Sequence, residues 1–324
     1  MSSFMRRIFA LALLALLSIA LATAIAIVVS RYIAIKTHFV TNIPKDSLTY
    51  PSPNAPKYYY EPKPNSTSSE KPDWLPYTAT YTYNNEGFNT AANVSADKPD
   101  HVFRIIALGD SFTFGQYVNT ADNYPSLLDT RLNSTACTKQ TKFEVLNLGM
   151  SGYDLQYAVE RFARHGQPYH PDLVIWLIND FNLLQIHELL TPLEQTIIQN
   201  TTDSSRQKYY AENDYYFARI QATADLQKKY GQANILDQQK QFLARLTSVY
   251  PGPLALFMFT APMTGPRTIV RDYIAARKNS YFAELPNLTD TSLFPDGHPS
   301  KIGQTAIADG VYTYLTSHKL VPCP

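Results

Sequence analysis

Cysteine is nearly absent from this chain of 324 residues: Cys137 and Cys323 are the only two. That excludes a cysteine-rich zinc module and a disulfide-dense scaffold. An excess of charge of either sign is missing as well. The formal net charge is +1, without a basic excess that would suit nucleic acid and without an acidic tract that would form a solvated tail. No internal repeat is present. Glycine is missing from one position that matters. Ser111 follows an apolar run, but Thr113 stands where the nucleophile elbow G-x-S-x-G would need its second glycine. What the chain does have is apolar content, 45% of its residues, enough for one large domain or two small ones. Tyrosine is abundant at 23 residues, which suits amphipathic surfaces and a binding cleft.

Ile8 to Val29 carries no charge. About 22 residues at roughly 1.5 Å each give about 33 Å of helix, enough to cross a bilayer core. Ala22-Thr23-Ala24 resembles a signal-peptide cleavage site. The length fits an uncleaved signal-anchor better, and residues 1–30 are read as one. Arg6 and Arg7 lie on one side and Arg31 and Lys36 on the other, a slight bias. The expectation is a cytoplasmic N-terminus and a chain exported to the periplasm or the exterior. Residues 31–77 are rich in Pro, Ser, Asn and Tyr, which prevents helix and central strand and reads as a spacer. An irregular wrap docked on the domain is the alternative for Tyr58–Tyr60 and Trp74–Tyr77. Tyr77 to Tyr83 alternates like a hairpin or edge strand.

From Val102 onward, apolar runs of strand length alternate with segments of helical spacing. The strands expected are Val102–Leu108, Phe143–Leu148, Leu173–Ile178, Leu254–Phe259 and a short one near Tyr281–Leu285. Helices are expected near Asp122–Leu132, Asp154–Arg164, Arg267–Arg277 and Ile302–His318, with a mostly helical insertion over 183–233. Continuous apolar strands alternating with helices predict an α/β domain with a parallel sheet covered on both faces, over residues 78–324. Such a sheet brings the loops after its strands to one rim. That rim would hold Ser111, then Gly149 and Gly152, then Asn179, and finally Asp296 and His298. A serine nucleophile needs a base, an acid to orient that base, and donors for an oxyanion. His298, Asp296, a glycine amide and the Asn179 side chain can supply these. Each also has a plainer reading: Ser111 and Gly152 as turn residues, Asn179 as a helix cap, His298 as a surface histidine. Gly149 reads as structural, and Asn182 as a residue that could line the cleft.

Four blocks in order resemble the SGNH (GDSL) hydrolases: Gly109-Asp110-Ser111 with Phe112-Thr113-Phe114-Gly115, Asn147-Leu148-Gly149-Met150-Ser151-Gly152, Asn179-Asp180, and Asp296-Gly297-His298-Pro299 followed by Gly303. The Asn85–Phe88 stretch and the Phe-Arg-Ile-Ile lead-in are similar to membrane-anchored bacterial members. The resemblance implies a three-layer α/β/α flavodoxin-like domain that uses no metal or cofactor. It also implies Ser111 as nucleophile, an oxyanion hole of Ser111, Gly152 and Asn179, and His298 as base. One departure stands out. Most members place the acid three residues before the histidine, where this chain has Pro295; Asp296 lies two before, and Asp290 or a backbone carbonyl are the substitutes. The expected activity is hydrolysis of a small-molecule or glycan ester. Acyl transfer to a cell-envelope glycan and an inactive binding protein are the alternatives, and a cell-envelope protein is the further partner considered. In an exported domain Cys137 and Cys323 would pair as a disulfide, with two buried thiols as the alternative.

Overall fold

The computed structural model describes residues 56–134, 142–200 and 216–323. Its centre is a five-stranded, wholly parallel sheet. The strands are β3 (Val102–Leu108), β4 (Lys142–Asn147), β5 (Leu173–Leu177), β6 (Leu254–Phe259) and β7 (Ser280–Leu285), in the spatial order β4-β3-β5-β6-β7. The register pairs Ile105 with Val145 and Leu173, and Leu256 with Trp176 and Phe282. Counting core strands in sequence, the order is 2-1-3-4-5. It reverses direction at β3, between the crossover to β4 and the crossover to β5, and ligands of doubly wound sheets bind at that switch point.

The alternation of side chains along each strand divides the core in two. Ile106, Leu108, Leu146, Val174, Trp176 and Leu256 face one way. They pack on α3 (Leu155–Arg161), α6 (Gln232–Val249) and α7 (Thr268–Ala276). Ile105, Ala107, Val145, Ile175, Leu177 and Phe257 face the other way, toward α2 (Tyr124–Ser134) and α8 (Lys301–Ser317). Leu108, Leu173, Val174 and Ile175 are wholly buried. Each such aliphatic side chain contributes roughly 1.5–3 kcal/mol of burial, which is why runs with no polar residue must be central strands. The layered α/β/α architecture and the five strands lie where the sequence puts them, within a residue or two at each end.

The segment before Val102 departs from the expectation. Within the stretch read as a spacer (31–77), residues 56–77 are packed onto the domain. β1 (Ser66–Glu70) pairs antiparallel with β2 (Ala79–Tyr83), with Ser68 opposite Tyr81. β1 reads Ser-Thr-Ser-Ser-Glu, and its inward residues are polar, so no hydrophobic alternation betrays it. Ser68 hydrogen-bonds the Tyr83 hydroxyl at 2.9 Å, and Glu70 accepts from Tyr81 and from Gln116. Tyr59 and Leu75 are almost fully buried in the main core. The wrap reading of Tyr58–Tyr60 and Trp74–Tyr77 therefore describes this segment, and the prolines interrupt strands without preventing docking.

The insertion forms an antiparallel-like pair, α4 (His187–Gln199) and α5 (Tyr216–Tyr230), followed by α6. Leu190, Ala222, Leu226 and Ile235 make a small satellite core. Among the described residues no helix is long and apolar enough to cross a membrane. The expected signal-anchor (1–30) and the Cys137 end of the expected disulfide lie outside the described residues.

Candidate active site

Ser111 begins a single helical turn, α1 (Ser111–Phe114), directly after β3. The Asp110 carboxylate caps that turn, accepting from Phe112 N at 2.9 Å. Gly115 closes it at φ +86°, a left-handed conformation that suits glycine. The turn is clamped from two sides. Asn147 Nδ2 donates to Thr113 O at 2.9 Å, while Asn147 Oδ1 accepts from Gly149 N. A Cβ on Gly149 would sit 2.6 Å from Phe114 N, so its structural role follows from the close approach of the second loop to the serine turn. From the opposite face, wholly buried Gln304 of α8 donates to Phe112 O and accepts from Tyr124 N.

His298 and Asp296 come from the loop before α8. His298 Nε2 lies 2.9 Å from Ser111 Oγ, and His298 Nδ1 lies 2.7 Å from Asp296 Oδ2. The carboxylate can only accept, so the imidazole proton resides on Nδ1 and Nε2 is left to accept from the serine hydroxyl. The two-residue spacing works through the turn. Asp296 Oδ1 also accepts from the His298 backbone N–H at 3.1 Å, an Asx turn that folds the carboxylate alongside the ring. Gly297, at φ +89°, provides the bend, and Phe294 N bonds His298 O at 2.7 Å across it. The Asp296 side chain is 2% exposed and that of His298 25%. Burial opposes charging His298, but the carboxylate of Asp296, with Asp110 and Glu70 further off, outweighs it and raises the imidazole above its ordinary value. Asp290, the reserve acid, is exposed in a short turn and makes no hydrogen bond to His298.

Gly152 and Asn179 arrive after β4 and β5. Gly152 adopts φ +77°. Neither its N–H nor that of Ser111 donates to another group among the described residues. Asn179 is buried, and its Nδ2 donates to Asp110 Oδ2 at 2.8 Å. One amide hydrogen is thereby engaged and the other remains. Asn179 also stands at the N-cap of the short helix Asp180–Leu184, in a capping box with Asn182, so the cap reading holds while Asp110 orients the amide nitrogen. Asn182 does not line the site. It is buried, accepts from Asn179 N at 2.9 Å and donates to Tyr153 O at 3.1 Å, bracing the third loop against the second. Around the imidazole stand Phe112 and Tyr117, with ring centroids 5.8 and 5.3 Å away. Behind Gly152 lies His187, whose burial and the nearby Arg219 charge hold it well below its ordinary value, and therefore neutral.

Three contributions were not read from the sequence, the first being Gln304, whose partners lie 180 and 192 residues away. Asp110 reads as a turn residue, although its place before a helix turn is an N-cap signature that could have revealed it. Tyr60 carries no local signal: its contact to the second loop spans 91 residues.

Fold and site together define a doubly wound α/β domain that carries an Asp–His–Ser hydrogen-bond chain at its switch point. No family model matches the chain, and no curated protein does. Among solved structures it is similar to TesA, at 15% identity and a TM-score of 0.42, covering 66% of this chain and 98% of that one. It is similar to the lipase/acylhydrolase from Enterococcus faecalis, at 14% identity and 0.42, covering 67% and 96%. The psychrotrophic esterase EstA from Pseudoalteromonas sp. stands at 14% and 0.41, covering 66% and 97%. At such identities and scores, the chemistry of this chain is read from its own residues.

Proposed function

We propose that the chain is a serine esterase of the SGNH (GDSL) hydrolase type, acting on an ester-linked acyl group of a small molecule or glycan. The observation that carries the reading is the unbroken chain Asp296 Oδ2–His298 Nδ1 and His298 Nε2–Ser111 Oγ, at 2.7 and 2.9 Å. His298 Nε2 takes the hydroxyl proton as Ser111 Oγ bonds to the ester carbonyl carbon. Negative charge on the carbonyl oxygen is met by the N–H groups of Ser111 and Gly152 and the remaining Nδ2 hydrogen of Asn179. His298 then returns the proton to the departing alcohol. Water repeats the sequence on the acyl-serine, its proton going to His298 and then to Ser111 Oγ, and the carboxylic acid is released. Asp296 keeps the ring in the tautomer this requires and stabilises the imidazolium.

A fluorophosphonate probe on the full chain tests the reading. Wild type should label at one site, with Ser111→Ala and His298→Ala silent and hydrolysis of a short acyl ester lost in parallel. Wild-type protein that neither labels nor hydrolyses any short acyl ester would overturn it in favour of a binding protein with this fold.

The proposal includes an exported domain held at the membrane by residues 8–29, supported by that uncharged run. It also takes the hydrolase domain to begin near residue 56 rather than 78, supported by the burial of Tyr59 and Leu75. A reporter enzyme fused after residue 324 that is active only inside the cytoplasm would refute the exported topology.

A further inference from the structure

The N-terminal strap, residues 56–61, crosses the second loop of the site, and one of its side chains ends on the oxyanion-hole peptide. The Tyr60 hydroxyl donates to Ser151 O at 2.5 Å. That carbonyl and the Gly152 N–H belong to one planar peptide unit, so fixing the direction of one fixes the other. A loop peptide flanked by a glycine at φ +77° is free to flip, and the esterase reading requires the orientation that turns its N–H toward the oxyanion. A bond to the carbonyl also polarises the unit, making its N–H a stronger donor.

The strap is held in place independently of this bond. The Glu188 carboxylate accepts from Lys57 N at 3.1 Å, from Tyr58 N at 2.9 Å and from the Tyr157 hydroxyl at 2.6 Å. The Tyr153 hydroxyl donates to Tyr60 O. The Tyr60 ring packs edge-on against Tyr153 and Tyr157, with centroids 5.4 and 6.0 Å away. The ring is thus fixed by packing against two tyrosines of the second loop and α3. A Cβ on Gly152 would fall 2.6 Å from the hydroxyl oxygen, which shows how closely the strap covers this peptide.

We infer that Tyr60 is a positioning residue for catalysis: its hydroxyl holds the Ser151–Gly152 peptide with the Gly152 N–H aimed at the developing oxyanion. The inference rests on the esterase reading above. It makes the strap a working part of the site and explains why a segment rich in proline is docked there.

Tyr60→Phe in the full chain tests it, because phenylalanine keeps the ring packing and removes only the hydroxyl. Losing a direct oxyanion donor costs about 10²–10³ in kcat, so losing the group that aims one should cost roughly tenfold, with KM little changed. Fluorophosphonate labelling of Ser111, which forms the same kind of oxyanion, should slow by the same factor. Tyr59→Phe is the structural control. It lies on the same strap and is more deeply buried, and its hydroxyl bonds Glu61 at 3.2 Å rather than the Ser151 carbonyl. It should lower the melting temperature and leave kcat as in wild type. An active wild type with unchanged kcat in Tyr60→Phe overturns this inference and leaves the esterase reading standing. Equal kcat losses in the two variants overturn it too, since strap stability alone would then account for both. A wild type without activity or labelling overturns the esterase reading, and this inference with it.

Discussion

Asp296→Asn is the sharpest test of the unusual two-residue spacing. Both carboxylate oxygens accept hydrogen bonds from the same residue, Oδ2 from His298 Nδ1 at 2.7 Å and Oδ1 from the His298 backbone N–H at 3.1 Å. An amide has only one oxygen. If it faces Nδ1, the NH2 group opposes the backbone N–H, donor against donor, and the Asx turn is lost. If it faces the backbone, the NH2 group opposes Nδ1, which must then accept. The ring proton moves to Nε2 and Ser111 loses its base. Either way the side chain, 2% exposed, no longer holds a negative charge against the imidazolium. A charge-assisted bond is worth about 1.5–3 kcal/mol, and the lost charge and tautomer bring the total to about 3–5 kcal/mol. At about 1.36 kcal/mol per decade, kcat should fall by roughly 10²–10⁴ with KM little changed.

The pH profile carries a second signature. His298 must be neutral to act, so the rate rises with pH through its pKa, which Asp296 holds above the ordinary value against the opposing effect of burial. In Asp296→Asn the residual activity should show its acid limb at lower pH. Steady-state hydrolysis of a chromogenic acetyl ester across pH 4–9 reads both. A kcat close to wild type with an unmoved acid limb would refute the reasoning and return the orienting role to a backbone carbonyl. Asp290→Asn, in an exposed turn, should match wild type.

Three further outcomes are expected. Asn179→Ala should lower kcat by about 10²–10³ through loss of an oxyanion donor, and with Asp110 deprived of its partner it should lower the melting temperature too; unchanged kcat in steady-state assays would remove Asn179 from the oxyanion hole. Gly152→Ala should lose about 1–2 kcal/mol from the left-handed backbone alone, and more from the collision with Tyr60, measured by urea unfolding; a stability equal to wild type would contradict the φ of +77°. Asp154 caps α3 and accepts from His187 N, and burial pushes its carboxyl up to about 6 from 3.8. Between those values the folded state binds more proton than the unfolded one, so this group makes stability fall as pH rises. Asp154→Asn removes that titration. Its stability relative to wild type should improve between pH 4 and pH 7, and a pH-independent difference in thermal unfolding would count against the shift.

The sequence by itself determined the sheet and the membership of its rim. Ile105–Leu108 and Leu173–Ile178 have no polar residue to offer water, so they could only be central parallel strands, and parallel strands deliver Ser111, Gly152, Asn179 and the His298 loop to one edge. Residue chemistry then limited what such a set could do. Tertiary structure decided whatever depends on distance across the chain or on polar pairing. Asp296, two residues from His298, reaches the imidazole because an Asx turn bends it back, a geometry that composition does not encode. Asp110 orients Asn179 across 69 residues. β1 was hidden because its inward face is serine and glutamate, satisfied by Tyr83, Tyr81 and Gln116 rather than by apolar contact. The strap was hidden because a proline-rich segment has no periodicity of its own, and only its tyrosines' distant partners on α3, α4 and the Gly152 loop give it a place. Hydrophobic periodicity is local and can be read along the chain. Hydrogen bonds between remote residues exist only once the chain has folded.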